Sequence, residues 1–551
     1  MALERHADLV LMNGRIATMD RRRRVVSAVA VRAGRIVTVG SDVDVRAEIG
    51  TRTRVLDLRG RTVTPGFGDA HTHPVMAGLS RLQCALSGQH GLDAYLETVA
   101  AYAAANPDAD WIVGDGWSMT DFPGGLPHRS DLDRVSPDRP VMLWSREGHT
   151  AWANTAALEA AGIGVDTPDP PGGRIERDTD GRPSGTLQED ADTLVERLIP
   201  RPAASDLVAG LRAAQTELHG LGITHWQDAS VEPHEAEVAY TSLAGAGDLT
   251  ARVVGALTWH GDRGAEQIDE LVERRDRTAL DRYSPTSVKL FQDGIVENFT
   301  AALLEPYLDT TGQPTAELGA SMLDPSTLGD HVARLDALGF QAHFHAIGDR
   351  AAREALDSIE AARLANGPSD TRPHISHIQV VHPDDVPRFQ ALDVVANAQP
   401  YWACHEAQMD ELTIPFLGPE RASWQYPFGS LLRAGARLAM GSDWSVSTAD
   451  PLLGMEVAVT RVSEDHRDAR PPLFSHERIE LIDALAGYTN GSAWVNHLED
   501  ELGSIEVGKS ADLVVLDRDL FDRTAGAIGE CRVVATFIDG APVYETPELE
   551  G

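Results

Sequence analysis

"PGFGDAHTHPVMAG", residues 65–78, places His71 and His73 at the end of a run that is typical of a buried strand. Because a strand alternates its faces, residues i and i+2 point the same way, and both imidazoles can reach one ion. Two loop histidines without a ligand are the alternative for an isolated pair of this kind. The metal hypothesis therefore requires further ligands elsewhere in the chain.

The size and charge of the chain limit the classes to which it can belong. Its 551 residues are enough for one large catalytic domain and a smaller one. A formal net charge of -36 argues against nucleic acid and anionic membranes as partners, because both would repel it. We therefore expect a small-molecule substrate, with a weak preference for neutral or cationic compounds. A homodimer is an open alternative for the assembly.

The targeting and redox signals of the sequence favour the cytoplasm. Cys84, Cys404 and Cys531 lie far apart, which argues against a disulfide framework and a zinc site built from cysteines. Residues 1–20 lack the basic-then-apolar order of a secretory signal. No segment of the sequence is long and apolar enough to cross a membrane.

The two ends of the chain share one pattern, short apolar runs broken by turns. This pattern indicates antiparallel strands and hairpins in residues 1–64 and again in residues 499–551. We expect both ends to fold together into one small β-sandwich that flanks a central domain, residues 65–498.

The central domain alternates strand-like runs with helical stretches, which predicts a TIM-type (β/α)8 barrel in the α/β class. Eight runs qualify as its strands: the one ending at His73, then "GITHWQDA" (222–229), "ARVVGALTWH" (251–260), "SVKLFQDG" (287–294), "FQAHFHAIG" (340–348), "PHISHIQVV" (373–381), "DVVANAQPYW" (393–402) and "ARLAMGSDW" (436–444). The gap after the first strand is too long for one helix. We interpret residues of about 75 to 205 as an insertion that forms a lid and substrate-binding layer over the catalytic mouth.

Ligand-capable side chains recur near the carboxyl ends of these strands, where such barrels carry their active sites. They are Lys289 on the fourth strand, His343 and His345 on the fifth, His374 and His377 on the sixth, and Asp443 after the eighth. Imidazole and carboxylate ligands suit zinc. Together with the first pair of histidines, they predict a metal site at the mouth of the barrel.

In this order the motifs resemble the amidohydrolase superfamily of metal-dependent hydrolases. The resemblance is greater to its amidohydrolase-3, or YtcJ-like, branch, which includes N-substituted formamide deformylases. The motifs that carry it are "PGFGDAHTH" (65–73), "GHTAWANTAAL" (148–158), "KLFQDGIVENFTAALL" (289–304), "HAIGDRA" (345–351), "GSDWSVSTADP" (441–451) and "GSIEVGKSADLVVLD" (503–517). They span essentially the whole chain.

The resemblance implies a set of ligands for each of two metal ions. His71, His73 and Asp443 would hold the more buried metal, and Lys289, carboxylated to a carbamate, would bridge to a second metal completed by His345 and His377. His345 is preferred to His343 because it carries the "HAIGD" match, and His377 is preferred to His374. Ser376 stands where relatives commonly have an acidic residue, which leaves the surroundings of His377 open.

The state of Lys289 decides how many metals bind. A carbamate is anionic and can bridge ions about 3.5–4 Å apart, whereas a free ammonium would repel them. The alternative is a structural lysine that pairs with Asp293 or Glu297, which leaves a single metal. Zinc is the default ion, and manganese, iron or cobalt are alternatives.

The expected chemistry is hydrolysis, because a bound divalent metal lowers the pKa of water towards neutrality. We predict that Asp443 takes the proton of the attacking water and passes it to the leaving nitrogen. His149, in the insertion, is predicted to polarise the carbonyl or stabilise its oxyanion. The predicted substrate contacts are His149, Trp117, Trp152, Asn154 and Trp402. The alternative for His149 and Trp152 is a helix-start histidine with a core tryptophan, and the alternative for Trp117 and Trp402 is ordinary core packing.

The sequence thus predicts a metal-dependent hydrolase that cleaves a C–N bond in an N-substituted amide, a formamide or a cyclic amide. An esterase, lactonase or carbamate hydrolase with the same site is a second interpretation. A regulatory or binding protein that kept the fold and lost turnover is a third.

Overall fold

Eight parallel strands form a barrel in the computed structural model, which describes residues 6–467, 469–522, 524 and 526–549. Each strand pairs with its neighbours in chain order. The strands are β1 (Phe67–Thr72), β2 (Ile223–Val231), β3 (Arg252–Thr258), β4 (Tyr283–Phe291), β5 (Gln341–Ala346), β6 (His374–His377), β7 (Val395–Ala398) and β8 (Arg437–Met440). Every residue of β1, β5, β6 and β7 is buried, as expected of parallel strands covered on both faces. The prediction of a (β/α)8 barrel is confirmed.

The barrel closes at a seam between the first and last strands. Asp69 of β1 accepts hydrogen bonds from the backbone N–H of Ser442 at 3.0 Å and from its hydroxyl at 2.5 Å. The backbone N–H of Asp443 donates to the carbonyl of His71 at 2.7 Å. The seam therefore fixes the positions of His71 and Asp443 relative to each other.

Helices cover the outside of the barrel. They are Ala204–Gly220 before β2, then Ala236–Gly245, Ile268–Thr278, Pro325–Ala337, Asp349–Asn366, Val386–Ala391, Phe428–Arg433, Pro451–Thr460, Leu481–Ala486 and Ser492–Val495. The helix Ile414–Ala422 instead packs Leu417 and Ala422 into the core of the insertion. Asp349–Asn366 shows why they form: its buried residues, among them Ala352, Leu356 and Ile359, recur at helical spacing on one face.

Strands from both ends of the chain form two further sheets. The four-stranded sheet has the order Arg35–Gly40, Ala28–Arg32, Leu9–Met12, Arg54–Asp57. The six-stranded sheet has the order Ala541–Glu545, Val533–Ile538, Leu513–Leu516, Thr62–Pro65, Arg15–Ala17, Val25–Val26. Val63 pairs with Ile16 on one side and with Val515 on the other, and the two sheets share one apolar core.

The segment between β1 and β2 folds into a layer with its own sheet. The strand order is Gly173–Arg177, Pro183–Glu189, Thr150–Ala153, Val141–Ser145, Ile112–Trp117, Cys84–Ala85. Its helices are Pro74–Ser80, Leu92–Ala105, Arg129–Asp133, Thr155–Ala161 and Thr193–Glu196. Residues 146–149 connect the antiparallel strands Val141–Ser145 and Thr150–Ala153 in a tight turn that carries His149.

All three cysteines are buried as free thiols. Within the described residues, no helix combines the length and the apolar character that crossing a membrane would need.

Candidate metal centre

His71, His73 and Asp443 converge at the barrel seam. Oδ1 of Asp443 lies 3.2 Å from Nε2 of His71 and 3.1 Å from Nε2 of His73. His71 belongs to β1, while His73 is the residue that precedes the helix Pro74–Ser80. Asp443 adopts a left-handed φ of 55° just after β8, and its carboxylate is buried.

These three side chains fit a divalent metal. Zinc binds histidine nitrogen and carboxylate oxygen at about 2.0–2.2 Å, so ligand atoms around one ion lie roughly 3–3.5 Å apart. The two distances to Asp443 Oδ1 fall in that range, and all three ligand atoms lie within 4.8 Å of one another. Two imidazoles and one carboxylate form a donor set that also suits other first-row divalent ions.

Lys289 points into the same space from β4. Its Nζ atom lies 3.4 Å from Nε2 of His71, and burial lowers the pKa of the ammonium to about 7. The two acids considered as its partners bond elsewhere: Asp293 accepts backbone N–H groups of Ala302, Ile347 and Gly348, and Glu297 accepts the Thr413 hydroxyl. A lysine that is readily neutral is the form that can react with carbon dioxide.

His345 and His377 complete the cluster of candidate ligands. Their ring centroids lie 4.5 Å apart, and the ring of His377 lies 4.8 Å from that of His71. His377 adopts a left-handed φ of 74°, and its ring stacks on Trp402 at 5.3 Å. The structure therefore brings all six predicted ligands together at the carboxyl ends of the strands.

His343 and His374 lie behind the cluster. Nε2 of His343 is 2.9 Å from Nδ1 of His71, on the side of that ring opposite the nitrogen facing Asp443. The ring of His374 lies 4.0 Å from the ring of His343. Ser376 Oγ is 2.8 Å from both His71 Nδ1 and His343 Nε2. Ser376 therefore contacts His71, and a metal-ligating histidine is oriented by such partners on its second nitrogen.

His149 enters the site from the insertion. Its ring centroid lies 5.3 Å from that of His345, and its Nδ1 lies 2.7 Å from Oε2 of Glu189. Burial disfavours the charged ring, but the Glu189 carboxylate outweighs burial and raises the pKa of His149 to about 9. At neutral pH the ring is thus a cation that can donate a hydrogen bond.

Three residues that sequence reasoning missed hold His149 in place, two of them directly and one through Glu189. Glu189 Oε1 accepts the Thr300 hydroxyl at 2.6 Å, so its second oxygen is fixed towards His149. Asn298 donates to the backbone carbonyl of His149 at 3.2 Å and to Thr150 Oγ1 at 3.1 Å. Asn298 and Thr300 lie in the "KLFQDGIVENFTAALL" motif, which signalled the segment but not their role. No local pattern marked Glu189.

The other predicted substrate contacts divide into two groups. Trp117 and Trp152 are fully buried in the core of the insertion, and each donates its indole N–H to a backbone carbonyl. Asn154 begins the helix Thr155–Ala161, with its Oδ1 accepting from Ala157 N–H at 2.9 Å. The structure favours the packing alternative for the two tryptophans, and it gives Asn154 a capping role that the sequence did not predict. Trp402, by contrast, is partly exposed and stacks on a predicted ligand.

Comparisons with known proteins agree with this geometry. Residues 54–544 match the model of the Amidohydrolase family. The chain is 32% identical to the protein LONG AFTER FAR-RED 3 of Arabidopsis thaliana, covering 98% of this chain and 92% of that one. It is 30% identical to the N-substituted formamide deformylase of Arthrobacter pascens, covering 98% of each chain.

A solved structure of an uncharacterized metal-dependent hydrolase from Pyrococcus furiosus superposes with a TM-score of 0.70 at 28% identity, covering 93% of this chain and 99% of that one. The resemblance seen in the sequence motifs is therefore confirmed over nearly the full chain. The protein belongs to the Amidohydrolase family.

Proposed function

We propose that this protein is a metal-dependent hydrolase that cleaves the C–N bond of an amide-type small molecule. The observation that carries the proposal is the trio of His71, His73 and Asp443, whose ligand atoms lie at metal-binding distances from one another. The family of the chain and the names of a formamide deformylase and a metal-dependent hydrolase among its relatives support the same class.

The trio would hold one divalent ion, with zinc as the default. Lys289 as a carbamate would bridge to a second ion completed by His345 and His377. A bound ion supplies Lewis acidity, which makes water a usable nucleophile at neutral pH and polarises the substrate carbonyl. The remaining steps depend on side chains of this protein.

Asp443 transfers the proton, and His149 stabilises the negative charge that develops on the substrate. Asp443 takes the proton from the attacking water and delivers it to the leaving nitrogen, which must be protonated because an amide anion is a poor leaving group. The His149 cation, held by Glu189, donates a hydrogen bond to the carbonyl oxygen as negative charge develops there. Trp402 forms an apolar wall beside His377.

Two alternatives use the same fold. An ester, lactone or carbamate could be attacked in the same way, since the electrophile in each is a carbonyl carbon. A regulatory role is the other alternative, and the name of the Arabidopsis relative does not describe an enzyme. Six gathered side chains with metal-binding chemistry argue for catalysis, because a protein that had lost turnover would not need to retain all of them.

The test combines elemental analysis of the purified protein with assays of the turnover of matched N-substituted amides, formamides and esters. We expect one or two metals per chain, amide turnover that chelation abolishes, and loss of nearly all turnover in Asp443→Asn. Asp276→Asn is the matched control, because Asp276 is 66% exposed on a barrel helix and should leave the rate unchanged. Metal-replete, folded protein that turns over none of these compounds would overturn the proposal.

A further inference from the structure

Three segments that contact the candidate metal centre also carry a group of neighbouring carboxylates. His149 in the hairpin turn contacts His345, the Gly294 carbonyl after β4 lies 3.3 Å from Nε2 of His345, and Trp402 after β7 stacks on His377. Within a few residues, the same segments carry Glu147, Glu297 and Glu406. We call these three side chains the acidic pocket. Because each segment contacts a predicted ligand, the pocket adjoins the place where substrate would bind.

Glu147 is the member of the pocket that points to a ligand. Its side chain is only 8% exposed, and both carboxylate oxygens are buried without a hydrogen-bond donor among the described residues. Arg146 forms an ion pair with it, with Nη2 of Arg146 3.5 Å from Oε1 of Glu147. A buried charge that lacks hydrogen bonds is unfavourable unless something else supplies them.

The charge around Glu147 is unbalanced. Arg146 Nη2 is shared with Glu406 at 4.0 Å and donates to Gln408 Oε1 at 3.0 Å, so one guanidinium serves several acceptors. Burial raises the pKa of the Glu297 and Glu406 carboxyls, and the negative charge of Glu147 contributes to both shifts. Two of the three carboxylates, those of Glu147 and Glu406, therefore share the single guanidinium of Arg146.

A fourth carboxylate extends this field. One oxygen of Glu464 accepts the Tyr401 hydroxyl at 2.8 Å, while its other oxygen is buried without a donor. The negative charge of Glu464 also contributes to the raised pKa of Glu406, so it adds to the negative field around the acidic pocket.

We propose that the acidic pocket binds a positively charged nitrogen group of the substrate, such as a primary ammonium or an amidinium. The proposal rests on the hydrolase function given above and defines its substrate class. An ammonium group brings three N–H donors, which would satisfy the oxygens of Glu147 and offset the excess negative charge. A hydroxyl group of the same size supplies one donor and no charge. The substrate class is thus an amide that carries a second, protonated nitrogen.

The test compares two N-acyl substrates that differ only at the end of one alkyl arm, which carries either an ammonium or a hydroxyl group. Charge-assisted hydrogen bonds predict that kcat/KM for the ammonium compound exceeds that for the hydroxyl compound by about 10- to 100-fold. Glu147→Gln, which keeps the shape and removes the charge, should reduce this ratio to near one. Glu317→Gln is the matched control from the loop after β4, where the side chain is exposed, and should keep the ratio.

Binding provides a readout that does not need turnover. Calorimetry on the metal-replete enzyme should show that an alkylammonium ion binds the wild type and not Glu147→Gln, while the corresponding alkanol binds neither. If no substrate is turned over but this binding is seen, the proposed hydrolase function is contradicted, while the proposed binding of a charged nitrogen group by the acidic pocket is supported. Equal kcat/KM for both substrates, or alkylammonium binding that survives Glu147→Gln and Glu297→Gln, would overturn the pocket. A further metal ion that is lost in Glu147→Gln would also overturn it, because the occupant would then be a metal.

Discussion

Nδ1 of His71 lies 2.9 Å from Nε2 of His343, while Nε2 of His71 faces Asp443. The ring of His71 is therefore held from behind by a second imidazole. Sequence reasoning left His343 open as a ligand or as a neighbour of the ligand, and the structure places it behind His71, as a neighbour.

His343→Ala is expected to weaken metal binding about 10- to 100-fold, the usual effect of removing a partner that orients a ligating histidine. Competition against a chelator of known affinity measures the change. His90→Ala is the control, because the His90 side chain is 80% exposed in the insertion. Unchanged metal affinity in folded His343→Ala would remove the positioning role.

If Lys289 is carboxylated as proposed, Lys289→Ala should lower the metal content from two ions per chain to one or none, because the carbamate ligand is lost. The sequence contains only two lysines, and Lys509 donates to backbone carbonyls near the β-sandwich. Protein equilibrated with 13C-bicarbonate should therefore show one carbamate NMR signal that disappears in Lys289→Ala and persists in Lys509→Ala. A single ion in both wild type and Lys289→Ala, with no such signal, would support the structural-lysine alternative.

His149→Gln is expected to lower kcat by about 10²- to 10³-fold, the usual loss when one donor to a developing oxyanion is removed. KM should change much less, because the interaction strengthens in the transition state. His128→Gln is the matched control: His128 is another histidine of the insertion that pairs with a carboxylate, Asp178, at 3.1 Å. A raised KM with unchanged kcat would instead assign His149 to ground-state binding.

The junction of the β-sandwich and the barrel should show a pH-dependent contribution to stability. Burial opposes ionisation of Asp539, but its hydrogen bonds to Arg252 and Arg282 outweigh burial and lower the pKa of the carboxyl to about 2. A carboxyl with a depressed folded-state pKa stabilises the fold above its unfolded pKa, and that stabilisation is lost as pH falls towards the folded value.

Asp539→Asn should therefore lower the free energy of unfolding by about 1–2 kcal/mol near pH 7 after allowance for partial solvent screening. The difference from wild type should shrink between about pH 4 and pH 2. Denaturant unfolding at a series of pH values measures it. A difference that stays constant from pH 7 to pH 3 would mean that the ion pairs contribute nothing at this junction.

The fold was accessible to sequence reasoning because it rests on local patterns. Each predicted barrel strand overlaps a strand of the structure, since buried parallel strands are continuous apolar runs separated by helical periods. The candidate ligands could be proposed for the same reason, because they lie where those runs end.

Two features of the site could not be predicted from alternation. His374 and Ser376 share one face of β6, so strict alternation would turn His377 away from the site, and the left-handed φ of 74° at His377 interrupts that alternation. Its selection depended on family resemblance. Glu189 meets His149 from 40 positions away in the sequence, also with a left-handed φ, and no short motif encodes such a contact.

The burial of the insertion's tryptophans was equally hidden from the sequence. Tryptophan is a residue type expected in a ligand pocket, yet Trp117 and Trp152 pack against each other with ring centroids 6.3 Å apart. An aromatic side chain serves both purposes, and only the tertiary arrangement decides between them.

The seam between β1 and β8 would also determine when the proposed metal can be acquired. Two donors come from residues 71 and 73 and the third from residue 443, so a nascent chain emerging from the ribosome lacks the third donor until most of its length has been synthesised. Ion capture should therefore coincide with the last step of barrel assembly, and release of the final strand should release the ion with it.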